Sequence, residues 1–129
     1  MMLFESDLWT LLTPQGDVPV QVTIGWDFST PLEIRLAFHV NLPEPVEWVF
    51  SRDLLGDAFD HPGEIQGQAD VKAQVIGDYI RLDITSPFGE AAFRTDAYKV
   101  RAFLRQTYDR IAVGAEIVDV DAAIAQILG

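Results

Sequence analysis

The sequence predicts an α+β protein in which about seven antiparallel strands are followed by two helices. Three observations lead to this class. Apolar and polar residues alternate through the first two thirds of the chain, short turn sequences separate the alternating segments, and a helical period begins after about residue 95. Consecutive strands joined by short turns pair antiparallel, so we expect crossed sheets or an open barrel covered by the two C-terminal helices.

Four strands are predicted before residue 52, and turn sequences rich in Pro, Gly or Asp separate them. They are residues 3–12, 18–26, 32–40 and 46–50. In the first three, one set of alternating positions is mostly apolar, which is typical of a sheet with one buried face. Val49 interrupts the alternation of the fourth, so we expect that strand to be covered on both faces.

A short helical segment and three more strands follow. Ser51 is in position to cap one or two helical turns over residues 51–55, which Gly56 and the loop at residues 60–63 are predicted to end. The remaining strands are predicted at residues 68–76, 80–84 and 90–94. Gly77 suits the two-residue turn between the first two of these because glycine adopts a positive φ readily.

Two helices are predicted at the C-terminal end. The first carries an apolar stripe at spacings of three and one, with Thr95 or Asp96 as its N-cap. The stripe consists of Val100, Phe103, Leu104, Thr107, Tyr108 and Ile111. Gly114 follows this helix. A second helix is predicted to begin at Asp119 and to carry its apolar residues between Val120 and Leu128.

Composition limits the function of the chain. Its 129 residues, 14.4 kDa and 49% hydrophobic content indicate a single domain over residues 1–129 with a real core. The net charge of −11 opposes binding to nucleic acid or anionic lipid. Because there is no cysteine, disulfides and Cys-ligated metals are excluded. With neither a basic signal-peptide start nor a membrane-length apolar run, a cytoplasmic location is expected.

No arrangement of residues in the sequence predicts catalysis. His39 and His61 lack an obvious partner at close range and are interpreted as surface residues. Asp57, Asp60 and His61 have a spacing that could hold a divalent ion, but a solvated loop is the favoured interpretation. The glycines occur singly and match no phosphate-binding motif. We therefore expect no enzyme activity, no metal and no cofactor.

Basic residues are concentrated in one segment. Five of the nine fall within seventeen residues: Arg94, Lys99, Arg101, Arg105 and Arg110. They are a candidate interaction face for an acidic protein or a phosphate backbone, or they are a solvated helix face paired with the acids of the chain. Pairing of these cations with acids of the chain is favoured over binding to nucleic acid. The choice between such pairing and a contact with a protein partner stays open. Three Trp and eight Phe are many for one small core and favour a subunit interface.

The segment from Val46 to Leu55 resembles the E-W-x-F-x-R-D-L-L signature of the SsgA-like proteins of actinobacteria. The matching residues are Glu47, Trp48, Phe50, Arg52, Asp53, Leu54 and Leu55. Further family motifs are similar, in order, at residues 38–39, 86–91, 103–107, 114–116, 119–121 and 127–128. The resemblance therefore covers nearly the whole chain. Ala112 and Val113 stand where the family often has two prolines.

The resemblance implies a non-enzymatic role in sporulation-linked cell division. Family members help to place septa by bringing the tubulin-like protein FtsZ to the division site, so FtsZ, other septation proteins and family members are the expected partners. The implied fold is similar to that of the Whirly single-strand nucleic-acid binders, and the implied assembly is a homotrimer at the septum. The motifs are nearest to the branch most widely retained among sporulating actinobacteria. The alternative function is that of a nucleic-acid-binding module. For Arg52 and Asp53 within the signature, two roles stay open: the pair fixes a turn, or it contacts a partner.

Overall fold

The computed structural model describes residues 2–40, 42–67, 70–87 and 89–112. Its strands are β1 (Met2–Thr13), β2 (Gly16–Asp27), β3 (Glu33–His39), β4 (Val46–Ser51), β5 (Val71–Ile76), β6 (Tyr79–Ser86) and β7 (Gly89–Asp96). The helices are α1 (Arg52–Asp60) and α2 (Ala97–Arg110). Every strand pairing is antiparallel, as predicted, and the strands form one sheet in the order β4-β3-β2-β1-β7-β6-β5.

The sheet is assembled from two meanders and curls into an open barrel. β1 to β4 form the first meander and β5 to β7 the second. The two are joined where Thr10, Leu11 and Leu12 pair with Arg94, Phe93 and Ala92. Residues of β4 and β5, the two ends of the strand order, line the same groove. The open-barrel alternative is therefore the one that the fold adopts.

The core lies between the concave face of the sheet and the two helices. Trp9 and Trp26 are buried at 4% and 1% exposure, so the first strand places Trp9 on the inner face. The rings of Phe38 and Phe93 stack with centroids 4.5 Å apart and so connect the two meanders. The Trp26 Nε1–H donates to the Pro31 carbonyl at 3.0 Å, which satisfies the polar atom of the largest buried ring.

The predicted apolar stripe of α2 packs on this core. Val100, Phe103 and Leu104 are each no more than 5% exposed. Of the two possible N-caps, Asp96 is the one used, because its Oδ1 accepts the backbone N–H of Tyr98 at 2.8 Å. β7 therefore ends where α2 begins, and the chain turns directly from the sheet onto its concave face.

The prediction for α1 was right about its start and about the loop at residues 60–63 where it ends, and wrong about Gly56. The Ser51 Oγ accepts the Asp53 N–H at 3.2 Å, as expected of an N-cap. The helix then runs for nine residues and passes through Gly56 instead of ending there. A Cβ at Gly56 would lie 2.6 Å from the Tyr108 hydroxyl oxygen. Gly56 is thus required by the close approach of α2, not by a helix end.

The prediction that β4 is covered on both faces is wrong. Among the described residues β4 pairs with β3 alone, and Val46 and Val49 are 40% and 46% exposed. The irregular alternation therefore marks an edge strand with a partly apolar outer face. Residues 68–69, Gly114 and the helix predicted from Asp119 lie outside the described residues.

Candidate interaction surfaces

The family signature lies where β4 passes into α1, and most of it faces the core. Phe50, Arg52 and Leu55 are buried, whereas Trp48, Asp53 and Leu54 are half-buried. Glu47 is the one exposed member of the seven. A contact with a partner through these seven residues would therefore have to use Glu47 and the accessible parts of Trp48, Asp53 and Leu54.

Arg52 joins α1 to the C-terminal end of α2. Its side chain is 1% exposed, and its Nη1 donates to the carbonyl oxygens of Thr107 at 3.1 Å and Ile111 at 2.8 Å. The guanidinium also lies 4.1 Å from the centroid of the Tyr108 ring. The Thr107 carbonyl also accepts the backbone N–H of Ile111 at 3.0 Å. Because the carbonyls at the C-terminal end of a helix carry partial negative charge, a buried cation stabilises them. This geometry gives Arg52 a structural role, the joining of α1 to α2, which differs from the predicted one. That Arg52 fixes a turn together with Asp53 stays a prediction.

A groove of mixed charge separates α1 from α2. It encloses about 460 Å³ and is lined by Asp53, Gly56, Asp57, Phe59 and Asp60 of α1 and by Arg101, Leu104, Arg105 and Tyr108 of α2. Carboxylates stand on one wall, guanidinium groups on the other, and Phe59, Leu104 and Tyr108 provide apolar contact area between them. Burial, reinforced by the charge of Asp53, raises the pKa of Tyr108 to about 12, so its hydroxyl stays protonated at neutral pH.

The structure does not bring the five clustered cations to one surface. Arg101 and Arg105 line the groove between the helices. Lys99 and Arg94 lie against β1 and β2, where Lys99 Nζ is 2.7 Å from Asp7 Oδ2 and Arg94 Nη2 is 3.0 Å from Asp17 Oδ2. Arg110 lies in the last turn of α2. The pairing of Arg94 and Lys99 with acids leaves less cationic surface for a phosphate backbone.

The histidines and the acidic cluster are all at the surface. His39 is exposed, with its Nε2 3.0 Å from the Thr23 hydroxyl, and His61 is exposed just after α1. Asp57 and Asp60 belong to α1 itself, not to a loop. Within residues 2–112, apart from the gaps given above, no group of three or more His, Asp and Glu side chains is placed to hold a metal ion. In the same part of the chain no helix is long and apolar enough to cross a membrane.

A further exposed surface, along β1, was missed from the sequence. Met2, Phe4 and Leu8 are 44%, 61% and 61% exposed and project from the outer face of the sheet. The sequence contained a signal for this surface. Met2, Phe4 and Leu8 lie at even positions and the core residue Trp9 at an odd one, so the two sets belong to opposite faces of the strand. Asp7 belongs to the same strand. The hydrogen bond from Lys99 lowers the pKa of its carboxyl below the ordinary value, and the hydrogen bond from the backbone N–H of Leu8 contributes.

The architecture defines a known class of protein. The crystal structure of an SsgA-like sporulation-specific cell division protein from Thermobifida fusca matches with a TM-score of 0.83 and 31% identity, covering 98% of this chain and 95% of that one. A second structure, described under mutations in SsgB that correlate to longitudinal cell division during sporulation of Streptomyces coelicolor, matches with a TM-score of 0.78 and 26% identity over 90% and 91% of the two chains.

Sequence similarity then assigns the family. The sequence model described as Streptomyces sporulation and cell division protein, SsgA, matches residues 20–116. The sporulation-specific cell division protein SsgB of Frankia casuarinae is 37% identical over 125 residues, covering 92% of this chain and 85% of that protein. The chain therefore belongs to the SsgA family, as its motifs predicted.

Proposed function

We propose that this chain is a non-enzymatic protein of sporulation-specific cell division that helps to position and assemble septa by recruiting FtsZ. The observation that carries the proposal is its membership of the SsgA family across residues 20–116. Relatives in Frankia casuarinae and Thermobifida fusca that carry the name sporulation-specific cell division protein cover 92% and 95% of the chain. Similarity over nearly the whole length supports a shared role and not merely a shared fold.

Two surfaces of the described fold support a role through protein contacts. The groove between α1 and α2 combines charges of both signs with the apolar area of Phe59 and Tyr108. Aromatic residues and arginines are the residue types that contribute most to protein–protein binding. The outer face of β1 adds exposed Phe4 and Leu8. A recruiting protein needs such surfaces and no reactive centre.

A binding experiment with purified proteins tests the recruitment of FtsZ. The full chain is immobilised, FtsZ from the same organism is passed over it, and the bound fraction is measured with and without GTP. The charge reversal Arg101→Glu with Arg105→Glu tests the groove. The matched control is Arg35→Glu on the exposed side of β3. Association that is retained by the control and reduced by the groove variant supports this surface, whereas no association of the wild-type chain with FtsZ refutes the proposal.

A cellular experiment tests the location. A fluorescent fusion expressed in a strain lacking the gene should form bands that coincide with the septal FtsZ rings during sporulation. Diffuse fluorescence with normal septation would contradict the proposal.

The homotrimer is a separate part of the proposal. Light scattering should give three times the chain mass of 14.4 kDa, and a mass near that of one chain would reject the trimer.

A further inference from the structure

The groove between α1 and α2 carries opposite charges that do not pair with each other. Asp57 and Asp60 of α1 and Arg101 and Arg105 of α2 line it, and all four residues are exposed. Elsewhere on the surface an arginine such as Arg94 reaches a carboxylate at 3.0 Å. Within the described part of the chain, no ion pair or side-chain hydrogen bond engages the four groove residues. The two walls therefore do not neutralise each other by direct contact.

The two helices run in opposite directions along the groove. The start of α1 lies at the end of α2, where Arg52 joins the two. The end of α1 lies beside Arg101, in the first half of α2. Since each residue advances a helix by about 1.5 Å, Arg105 lies near the level of Asp57 and Arg101 near that of Asp60. Charges of opposite sign thus occupy similar heights on the two walls.

This arrangement of charge is complementary to itself. If a second copy is turned by half a rotation about an axis along the groove, α1 of each copy lies over α2 of the other and every height is kept. Asp57 of each copy then faces Arg105 of its partner, and Asp60 faces Arg101. A half rotation about an axis across the groove would instead set acid against acid. The charges therefore select one two-fold arrangement.

The floor of the groove supplies apolar area for the same contact. Phe59 and Tyr108 are half-buried there, beside the buried Leu104. Two helix pairs stacked on each other form a four-helix bundle, which would cover these side chains at its centre. The net charge of −11 on each copy opposes association, but salt at physiological concentration screens it beyond about 8 Å, whereas the opposite charges of the two walls would be in contact.

Other occupants match only part of the groove. Residues 113–129 contain three acids and no Lys or Arg, so this segment offers nothing to the carboxylates of α1. An acidic protein or a phosphate backbone meets the same carboxylates, and a wholly basic partner meets the arginines of α2. A second copy offers both signs of charge, each at the height where the opposite sign stands.

We propose that two copies of this chain pair groove to groove about a two-fold axis along the groove, with Asp57 and Asp60 of each copy bound to Arg105 and Arg101 of the other. The pairing goes beyond the proposed function and does not depend on FtsZ. Because it uses the two helices, it leaves the outer face of the sheet free for the proposed homotrimer, in which case two trimers pair.

An exchange of charges in the full chain tests the pairing. Light scattering over a series of protein concentrations at physiological salt measures the mass. Wild type should reach twice the mass of Arg101→Glu with Arg105→Glu, and twice that of Asp57→Lys with Asp60→Lys, because each variant sets like charges against each other. Each reversal should raise the dissociation constant at least about tenfold. The control Arg35→Glu, on the exposed side of β3, should keep the wild-type mass.

A mixture of the two groove variants is the decisive sample. The acidic groove of one variant faces the basic groove of the other, so an equimolar mixture should regain the doubled mass. Both variants remain net negative, so net charge cannot cause this association. A mixture that stays at the mass of the separate variants overturns the proposal. A wild-type mass that never exceeds that of the groove variants overturns it as well.

Folding of the variants is checked by circular dichroism. Should a double variant not fold, the single reversals Arg105→Glu and Asp57→Lys replace it, and doubling that survives both rejects the groove as the contact. Residues 113–129 are a competing occupant of the groove. If Arg101→Glu with Arg105→Glu lowers the free energy of unfolding and wild type shows no doubling, that segment fills the groove and the proposal is wrong.

Binding to FtsZ is measured separately, so the two proposals can fail independently. If the masses behave as expected but FtsZ does not bind wild type, the pairing stands and recruitment of FtsZ fails. If FtsZ binds but the wild-type mass does not exceed that of the groove variants, recruitment stands and the pairing fails. The mass of the groove variants themselves, three chains or one, reports on the homotrimer.

Discussion

The contact between Gly56 and Tyr108 predicts that a helix-favouring substitution will destabilise the protein. Alanine stabilises a helix interior by about 1 kcal/mol relative to glycine. At Gly56, however, the new Cβ would lie 2.6 Å from the Tyr108 hydroxyl oxygen, which sits at the end of a rigid ring. Overpacking of this kind costs about 1–3 kcal/mol. Taking 2 kcal/mol for the clash, we expect Gly56→Ala to lower the free energy of unfolding by about 1 kcal/mol.

Removing the hydroxyl should reverse the sign. In a Tyr108→Phe background the nearest atom to the new Cβ is the ring Cζ at 3.5 Å, an ordinary contact. Gly56→Ala should then stabilise by about 1 kcal/mol, so the coupling between the two sites is about 2 kcal/mol. Tyr108→Phe alone should change little, because its hydroxyl hydrogen bonds are long, at 3.4 and 3.5 Å. Urea denaturation followed by tryptophan fluorescence at one protein concentration measures all four variants. Stabilisation by Gly56→Ala in both backgrounds would refute this account of the glycine.

Other predictions concern a buried arginine, a surface ion pair and a strained glycine. Arg52→Ala removes the hydrogen bonds to the carbonyl oxygens of Thr107 and Ile111 and the contact with the Tyr108 ring, so the free energy of unfolding should fall by about 4 kcal/mol. The control Arg35→Ala, at the surface, should cost under about 1 kcal/mol. Similar losses for the two variants in urea denaturation would be inconsistent with a stabilising role of buried Arg52. Asp7→Asn should reduce stability above about pH 4, because the pKa of the folded Asp7 carboxyl is lowered, and the difference from wild type should shrink as the pH falls through that pKa. Thermal unfolding across pH tests this, and a difference that does not shrink on acidification below about pH 4 would contradict it. Gly67→Ala should lower the free energy of unfolding by more than about 2 kcal/mol, because Gly67 has a φ of +100° and the carbonyl oxygen of Val71 would lie against the new Cβ. Gly63→Ala, whose new Cβ would point into open space, should lower it by about 1 kcal/mol. Equal losses for the two variants in urea denaturation would argue against the clash.

The strands could be predicted because their alternation reports burial directly. In β6, Ile80, Leu82 and Ile84 are all buried at 4% exposure or less, as the period of two requires. The stripe of α2 was equally readable, since Val100 and Phe103 have the spacing of one helix face. Local periodicity is enough wherever an element has one face in the core and the other in solvent.

The remaining errors concern contacts between distant parts of the chain. Gly56 resembles a helix terminator in the local sequence, and only its contact with Tyr108, on another helix, explains it. The cations of α2 form one cluster in the sequence, but Lys99 and Arg101 are two residues apart and so project to different sides of the helix. Lys99 accordingly reaches Asp7 on β1, a partner 92 residues away. Sequence spacing could not reveal that pair.

The short pairing between β1 and β7 has a consequence for how the chain folds. Within each meander every strand pairs with its sequence neighbour, so both can form through local hairpins. Joining them requires Thr10 to meet Arg94, which closes a loop of more than 80 residues for only three pairs of residues. This closure should be the late step of folding, and in native-state hydrogen exchange the amides of the β1–β7 pairing should open at lower cost than those inside either hairpin.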